Sequence, residues 1–332
     1  MANSMLQSWP PAAVFWKVPS RVTRWLFSRF RKRGIGACVA LLGFAAVVCG
    51  AQPQPAATPQ AAFTFPDPYA GHKKVLIIGD VHTGAQMAHD AISHALATLE
   101  HLGRESGAYV AFIRTDTQLV TKQEVYGTGD YAKGESKQAK GRNLDYFDAV
   151  VFYTNGSPSM TDQQKHDLLA FVHEDGKGFV VVHTATATFY DWPEYGEMVG
   201  GYFDNHPWMV FDAPVRVERP DFPGWTGLPH EFTLRDEMYQ YRAPYSRDQV
   251  DVLASLDASK LDLTNKNVHR TDRDFPIAWV KNYGKGRVFS STLGHTDASW
   301  DDPRVQSIYL EGIKWVLHLT DAPVKPHPAP AP

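Results

Sequence analysis

The sequence predicts an α/β protein whose core is a doubly wound, mostly parallel sheet flanked by helices. Strand-like apolar runs alternate with segments of helical spacing over residues 73–182, a pattern typical of parallel strands joined by helical crossovers. Several runs are apolar without alternation, as expected of strands buried on both faces. From residue 209 onward, strand-like segments follow one another with little helix between them. The second half therefore predicts an antiparallel extension of the sheet.

The first half supplies four strands and two helices. Apolar spacing predicts a helix over residues 85–102 that is closed by Gly103. Thr161 and Gln164 match a capping box, which opens a second helix that ends by Gly176. The predicted strands are 75–78, 109–113, 149–153 and 179–182.

The second half is predicted to hold strands within residues 209–218 and 275–291. A glycine-containing turn at 283–286 folds the later segment into a hairpin. Asp302 and Pro303 suit an N-cap and a first helical position, so they begin a last helix. Its predicted inner face consists of Val305, Ile308, Gly312, Trp315, Val316 and Leu319.

The chain begins with a segment that predicts export. Residues 1–33 are basic and residues 34–50 are apolar, so residues 1–51 match a signal peptide with an extended basic region. The same segment could be a retained membrane anchor, or could carry lipid on Cys49. The expected location is thus periplasmic or extracellular, with membrane anchoring as the alternative. A Pro/Ala-rich linker at 52–70 and a Pro-rich tail at 322–332 would bracket one domain, residues 71–321.

Charge and cysteine content exclude several functions. The formal net charge of −3 gives no electrostatic reason to expect nucleic-acid binding. The two cysteines, Cys38 and Cys49, both lie in the N-terminal apolar segment. The domain therefore has no disulfide, no thiolate zinc site and no cysteine nucleophile.

Residues 178–208 are the most informative stretch. An apolar strand ends at His183, and polar and aromatic side chains follow it closely. Ligands of open α/β sheets bind at the carboxyl ends of the strands, and aromatic faces suit stacking on sugars. The alternative for each aromatic residue is simple core packing, and for Arg273 a solvated ion-pair cluster. The candidate substrate-binding residues are Tyr190, Trp192, Tyr202, Trp208, Tyr239 and Arg273.

Histidines and one carboxylate are the candidates for chemistry. Imidazole transfers protons well near neutral pH, so acid–base catalysis is one role for them. Binding Zn²⁺ or a similar divalent ion is another, with His82, His183 and His295 as candidate ligands. No HExxH spacing supports that second role. Each residue also has a structural alternative. His183 could be a core histidine hydrogen-bonded at a strand end, His206 could fix a turn before Pro207, and Glu237 could pair with Arg235 or Arg242. The candidate catalytic residues are His183, His206, His295 and Glu237.

Three segments resemble the ThuA-like (trehalose utilisation) family: residues 178–208, 233–241 and 270–304. The resemblance covers roughly residues 73–320. It implies the flavodoxin-like three-layer sandwich of class I glutamine amidotransferases, and a link to sugar metabolism. Those amidotransferases place a cysteine nucleophile on the turn where this chain has His183. Thiol-dependent glutaminase chemistry is therefore excluded.

The sequence thus predicts an exported protein whose partner is a small carbohydrate. The leading expectation is an enzyme that acts on a glycoside or keto-sugar through histidine and carboxylate groups, with or without a metal. The alternative is a non-catalytic carbohydrate-binding or accessory protein of the same fold. Convergence of the histidines in one pocket would favour the enzyme. Aromatic residues lining an open groove would favour the binding protein.

Overall fold

The computed structural model describes residues 66–80, 89–126 and 141–330. The predicted signal segment, His82 and most of the predicted linker lie outside these ranges. Among the described residues, no helix combines the length and hydrophobicity that a membrane span requires.

The described chain holds five α-helices and eleven strands. The helices are α1 (Ile92–Ser106), α2 (Asp162–His173), α3 (Pro193–Val199), α4 (Asp297–Asp301) and α5 (Pro303–Val316). The strands of the first half are β1 (Lys74–Ile78), β2 (Val110–Arg114), β3 (Ala149–Phe152), β4 (Gly178–Val182) and β5 (Tyr202–Asn205). The later strands are β6 (Val210–Val217), β7 (Glu231–Glu237), β8 (Gln240–Arg242), β9 (Asp251–Leu256), β10 (Pro276–Tyr283) and β11 (Gly286–Ser291).

One nine-stranded sheet runs through the described residues in the order β2-β1-β3-β4-β11-β10-β9-β6-β7. The five strands from β2 to β11 are parallel. The four strands from β10 to β7 are antiparallel to their neighbours. A second, two-stranded sheet pairs β5 with β8. The predicted fold class, a mostly parallel sheet with an antiparallel extension, is confirmed.

The sheet is the middle of three layers. Side chains of a strand alternate between its faces, so Val75 and Ile77 join one buried cluster, which includes residues of α1 and α5. Leu76 and Ile78 join another, which includes residues of α2 and α3. All four side chains are fully buried. The apolar run of β1 therefore packs on both sides, as its lack of alternation predicts.

The predicted end of the first helix is wrong. Gly103 lies inside α1, where a Cβ atom would stand 2.4 Å from the ring of Tyr109. The helix continues to Ser106 and ends where Gly107 adopts a left-handed φ of 66°. Gly103 is therefore needed for close packing against Tyr109, whereas Gly107 provides the helix stop.

The other local predictions are largely confirmed. Thr161 and Gln164 form the complete capping box of α2. The two-residue turn Gly284–Lys285 joins β10 to β11, and Asp302 caps α5 with Pro303 at its first position. Leu319 departs from the prediction because it lies beyond α5 and is 43% exposed.

The Pro-rich C-terminal tail lies beside β9 and is hydrogen-bonded to it. The Lys325 amide donates to Asp251 Oδ2 at 2.7 Å, and the Trp315 indole donates to the Ala322 carbonyl at 2.9 Å. His327 Nε2 lies 3.0 Å from the Val252 carbonyl oxygen. Composition alone predicts a flexible tail, but residues 322–327 are tied to the domain by these hydrogen bonds.

Candidate functional site

His183 occupies a sharp turn at the carboxyl end of β4. It has a φ of 47°, it is fully buried, and it begins a short 3₁₀ helix, His183–Ala187. A non-glycine residue in this conformation costs of order 1–3 kcal/mol and is found mostly at functional sites. The turn places the imidazole at the carboxyl edge of the parallel sheet, where ligands bind.

The side chains of His295 and Glu237 both approach the Nε2 atom of His183. His295 Nδ1 lies 3.1 Å from that nitrogen, and Glu237 Oε2 lies 3.6 Å from it. His295 Nδ1 is also 3.1 Å from Glu237 Oε2. The three atoms therefore form a small triangle with edges of 3.1–3.6 Å.

The orientation of His183 follows from its two other partners. Its Nδ1 lies 2.5 Å from the carbonyl oxygen of Thr292. Because a carbonyl can only accept, Nδ1 must carry the hydrogen, and Nε2 offers a lone pair. The hydroxyl of Tyr239 donates to Nε2 at 2.6 Å. Burial raises the pKa of Tyr239 well above its ordinary value, which keeps this hydroxyl protonated.

Asp236 holds the loop that carries His295. Its Oδ2 accepts hydrogen bonds from the Gly294 amide at 2.7 Å and the Ser299 hydroxyl at 2.6 Å. Its Oδ1 accepts from the amides of His295, at 3.1 Å, and Glu237, at 2.9 Å. Burial raises the pKa of Asp236, although these hydrogen bonds oppose the shift. Asp236 therefore caps this loop.

The charge of Glu237 is set by its histidine neighbours. Burial disfavours its ionised form, but its interactions with the imidazoles of His183 and His295 outweigh that effect and lower its pKa. Burial likewise opposes the charged form of His295, and the hydrogen bond with Glu237 outweighs it and raises the pKa of His295. Glu237 is thus an anion that stabilises positive charge on His295. It does not pair with Arg235, which contacts Asp212 at 3.3 Å.

His206 joins the cluster from β5. Its Nδ1 lies 3.7 Å from Glu237 Oε1, and its side chain is 35% exposed. Its carbonyl also accepts from the Met209 amide at 3.1 Å, so it forms the turn that the sequence suggests as well. The four candidate catalytic residues therefore lie in one place.

His89 is a member of the cluster that the sequence analysis did not identify. Its ring centroid is 5.0 Å from that of His183 and 4.8 Å from that of His295. One ligand atom from each of His89, His183, Glu237 and His295 lies within 4.8 Å of the others. The prediction of a helix over 85–102 placed His89 on that helix, but α1 begins only at Ile92. His89 therefore lies in the connection between β1 and α1, at the same edge of the sheet as His183.

A cleft of about 1030 Å³ opens over the cluster. It is within the size range of pockets that enclose small ligands. Glu237, His206 and His295 lie on its wall together with His89. Other lining residues are Asn155, Thr184, Tyr190, Phe203, Tyr239 and Asp297.

Two of the candidate substrate-binding residues line the cleft. Tyr239 is almost fully buried beneath it, and Tyr190 is 44% exposed at its wall. The guanidinium of Arg242 lies 4.6 Å from the centre of the Tyr190 ring. Tyr190 therefore presents an aromatic surface that a sugar can reach.

The other four candidate substrate-binding residues do not line the cleft. Trp192 is 7% exposed and packs on Phe189 and Tyr195 in the core. Tyr202 is buried, and its hydroxyl bonds to backbone carbonyls of the 189–192 segment. Trp208 packs against Phe275 and donates to the Asp262 carbonyl at 3.1 Å. Arg273 lines a separate small cavity. Trp192 and Tyr202 belong to the core, and Trp208 packs against it.

The fold and the site define a three-layer α/β protein with a histidine–carboxylate cleft at the carboxyl edge of its sheet. The family model for ThuA, described as trehalose utilisation, matches residues 74–316. The chain therefore belongs to the ThuA family, as the three sequence segments indicate.

Two solved structures share the fold. A ThuA-like protein from Bacteroides uniformis is 25% identical, with a TM-score of 0.56 over 76% of this chain and 95% of its own. A ThuA-like protein from Parabacteroides merdae is 20% identical, with a TM-score of 0.54 over 74% of this chain and 90% of its own, and it shows the shared fold. A comparison with curated protein sequences gives no significant match.

Proposed function

We propose that this protein is an exported enzyme that acts on a glycoside or keto-sugar by acid–base catalysis in the cleft. The observation that carries the proposal is the meeting of His183, His206 and His295 around Glu237. A cluster of three imidazoles and an ionised carboxylate beside a cleft of this size suits proton transfer to and from a small ligand. The family's description as trehalose utilisation favours a disaccharide.

The three histidines differ in the solvent exposure of their side chains, and this difference indicates their roles. The side chain of His183 has no exposed surface, whereas those of His206 and His295 are 35% and 29% exposed. His206 and His295 are therefore the proton-transfer groups, and His183 is a positioning residue that acts through His295 and Glu237. Glu237 contacts both accessible imidazoles and stabilises the charged form of His295.

The reaction that these groups suit is elimination from a keto-glycoside. One imidazole removes the proton from the carbon beside the ketone, and the electron pair moves onto the carbonyl to form an enolate. The electrons then return, the bond between the next carbon and the glycosidic oxygen breaks, and an enone forms. The leaving oxygen takes a proton from the second imidazole. Atoms and charge balance without an external oxidant or a protein nucleophile, which agrees with the absence of cysteine after residue 49.

Export belongs to the proposal and rests on the N-terminal composition. The basic and apolar segments at residues 1–50 suit a signal peptide, with the mature protein in the periplasm or outside the cell. Mass spectrometry of the protein purified from its native compartment tests this point. We expect a new N-terminus near residue 51. An intact residue 1 would instead favour the retained anchor.

Turnover of trehalose and of its mono-ketone, measured with full-length protein, tests the reaction. We expect turnover of the ketone, with a loss of at least about 100-fold in kcat for His206→Ala, the scale of general acid–base catalysis. The matched control is His94→Ala, which removes a histidine whose partner is the exposed Asp301. Calorimetric binding of these sugars without any turnover would instead support a carbohydrate-binding protein. Equal turnover by the wild type and His183→Ala on every keto-glycoside would refute the proposed site.

A further inference from the structure

We propose that the cleft binds one divalent transition-metal ion, such as Zn²⁺, through His89, His183, His295 and Glu237. The inference deepens the proposed function and rests on it for the ion's role, but ion binding can be measured without any sugar. The sequence points to His82 as a third histidine ligand, and that residue lies outside the described ranges. The structure instead assigns the position to His89.

The spacing of the donor atoms fits a shared ion. Three atoms each about 2.0–2.2 Å from one tetrahedral metal lie about 3.3–3.6 Å from one another. The triangle formed by His183 Nε2, His295 Nδ1 and Glu237 Oε2 has edges of 3.1, 3.6 and 3.1 Å. His89 adds a fourth donor within 4.8 Å of the other three. Small movements of side chains would complete four-coordinate binding.

The surroundings of the donors resemble a built metal site. Metal-binding histidines generally donate their second ring nitrogen to a carbonyl or carboxylate, which fixes the tautomer. His183 does so through Nδ1 to the Thr292 carbonyl, which turns the lone pair of Nε2 toward the cluster. Asp236 holds the backbone of His295 and of Glu237 by accepting hydrogen bonds from their amides. Binding an ion at Nε2 would require the Tyr239 hydroxyl, which donates to that nitrogen, to turn away from it.

The charge of the cleft also favours a cation. Among its described lining residues there is no lysine or arginine, whereas Asp90, Glu237 and Asp297 are acidic. Three imidazole nitrogens with one carboxylate select zinc, manganese, iron, cobalt or nickel over calcium and magnesium, which prefer all-oxygen sites.

The ion would share the cleft with the substrate. His89, Glu237 and His295 all line it, so a sugar oxygen can reach the same place. A bound divalent ion polarises a carbonyl or hydroxyl oxygen. With His295 taken as a ligand, His206 remains as the imidazole that removes the proton, and the bound ion would replace His295 in stabilising the charge on the leaving oxygen. His206→Ala should therefore abolish turnover yet leave metal binding unchanged.

The test uses full-length protein that has been stripped with a chelator and dialysed. Zn²⁺, Mn²⁺, Co²⁺ and Ni²⁺ are titrated by calorimetry, bound metal is counted by elemental mass spectrometry, and Co²⁺ is followed by its visible absorption. We expect one ion per chain. His183→Ala and Glu237→Gln should weaken binding by at least about 100-fold, since loss of even an outer-shell partner costs 10–100-fold. His89→Ala should weaken binding more than tenfold, whereas His94→Ala and His206→Ala should bind as the wild type does.

Thermal unfolding separates binding from folding. The wild type should gain thermal stability when Zn²⁺ is added, and Glu237→Gln should not, although the two should have matching circular dichroism spectra. No ion bound by folded wild-type protein would overturn the proposal, and so would equal affinity in the ligand variants. Metal binding without sugar turnover would support the ion and refute the enzyme. Turnover by metal-free protein would support the enzyme and refute a catalytic role for the ion.

Discussion

The buried carboxylate of Asp236 offers a quantitative test of how the site is held together. In Asp236→Asn an amide replaces one of its oxygens. If the amide takes the Oδ2 position, the Gly294 amide loses its acceptor, and the Ser299 hydroxyl must turn round to accept instead. Losing a bond to a charged acceptor costs about 1.5–3 kcal/mol, and a buried unpaired amide adds about 1–3 kcal/mol.

Part of that cost is offset. Burial raises the pKa of Asp236, which shows that its charged form is poorly solvated in the folded protein. The neutral asparagine avoids this penalty, so we expect the lower part of the range, a loss of about 2–3 kcal/mol in the free energy of unfolding. The melting temperature should fall by roughly 4–10 °C for a domain of this size.

Urea unfolding of full-length protein, followed by circular dichroism, measures the change directly. Asp212→Asn is the matched control because Asp212 has an exposed side chain and pairs only with the exposed Arg235. Its effect should stay within about 0.5 kcal/mol. If Asp236→Asn also stays within 0.5 kcal/mol, the inferred role of Asp236 in holding the loop is incorrect.

Three further substitutions separate stability from function. Arg247 is held between the buried carboxylates of Glu218 and Asp274 at 2.6 and 2.7 Å, so Arg247→Met should lower the free energy of unfolding by about 3–5 kcal/mol, measured by urea unfolding. Trp192→Ala should cost about 3–5 kcal/mol of stability and leave the KM of the folded fraction unchanged, because Trp192 lies in the core. Tyr190→Ala should raise KM by about 5–10-fold (about 1–1.4 kcal/mol), because the substrate loses a stacking face. The melting temperature of this variant should change little. A KM change in Trp192→Ala but not in Tyr190→Ala would contradict the placement of the cleft.

Features with a local cause could be predicted from the sequence. The apolar run before His183 gives a buried strand whatever follows it. The capping box at Thr161 and the Asp302–Pro303 start of α5 satisfy backbone groups within a few residues. The carboxyl ends of parallel strands meet at one edge, so convergence of His183 and His295 follows from topology.

Features that depend on the tertiary path could not be predicted. His89 joins the site from the connection between β1 and α1, and no local pattern in the sequence marks it as a member of the cluster. Tyr202 and Trp192 lie in a polar segment yet are buried, since the Tyr202 hydroxyl bonds to the carbonyls of Phe189 and Trp192. From the sequence alone Gly103 predicts a helix end, whereas in the structure it allows the ring of Tyr109 to pack closely against the helix.

Proton removal from a keto-sugar is the most direct test of the proposed chemistry. The mono-ketone of trehalose is incubated with full-length protein in D₂O, and proton NMR follows the signal of the hydrogen on the carbon beside the ketone. We expect the wild type and His94→Ala to remove that signal well above the rate without protein, and His206→Ala to remove it at least about 100-fold more slowly. A wild-type rate equal to the rate without protein would contradict the account, as would an unchanged rate in His206→Ala.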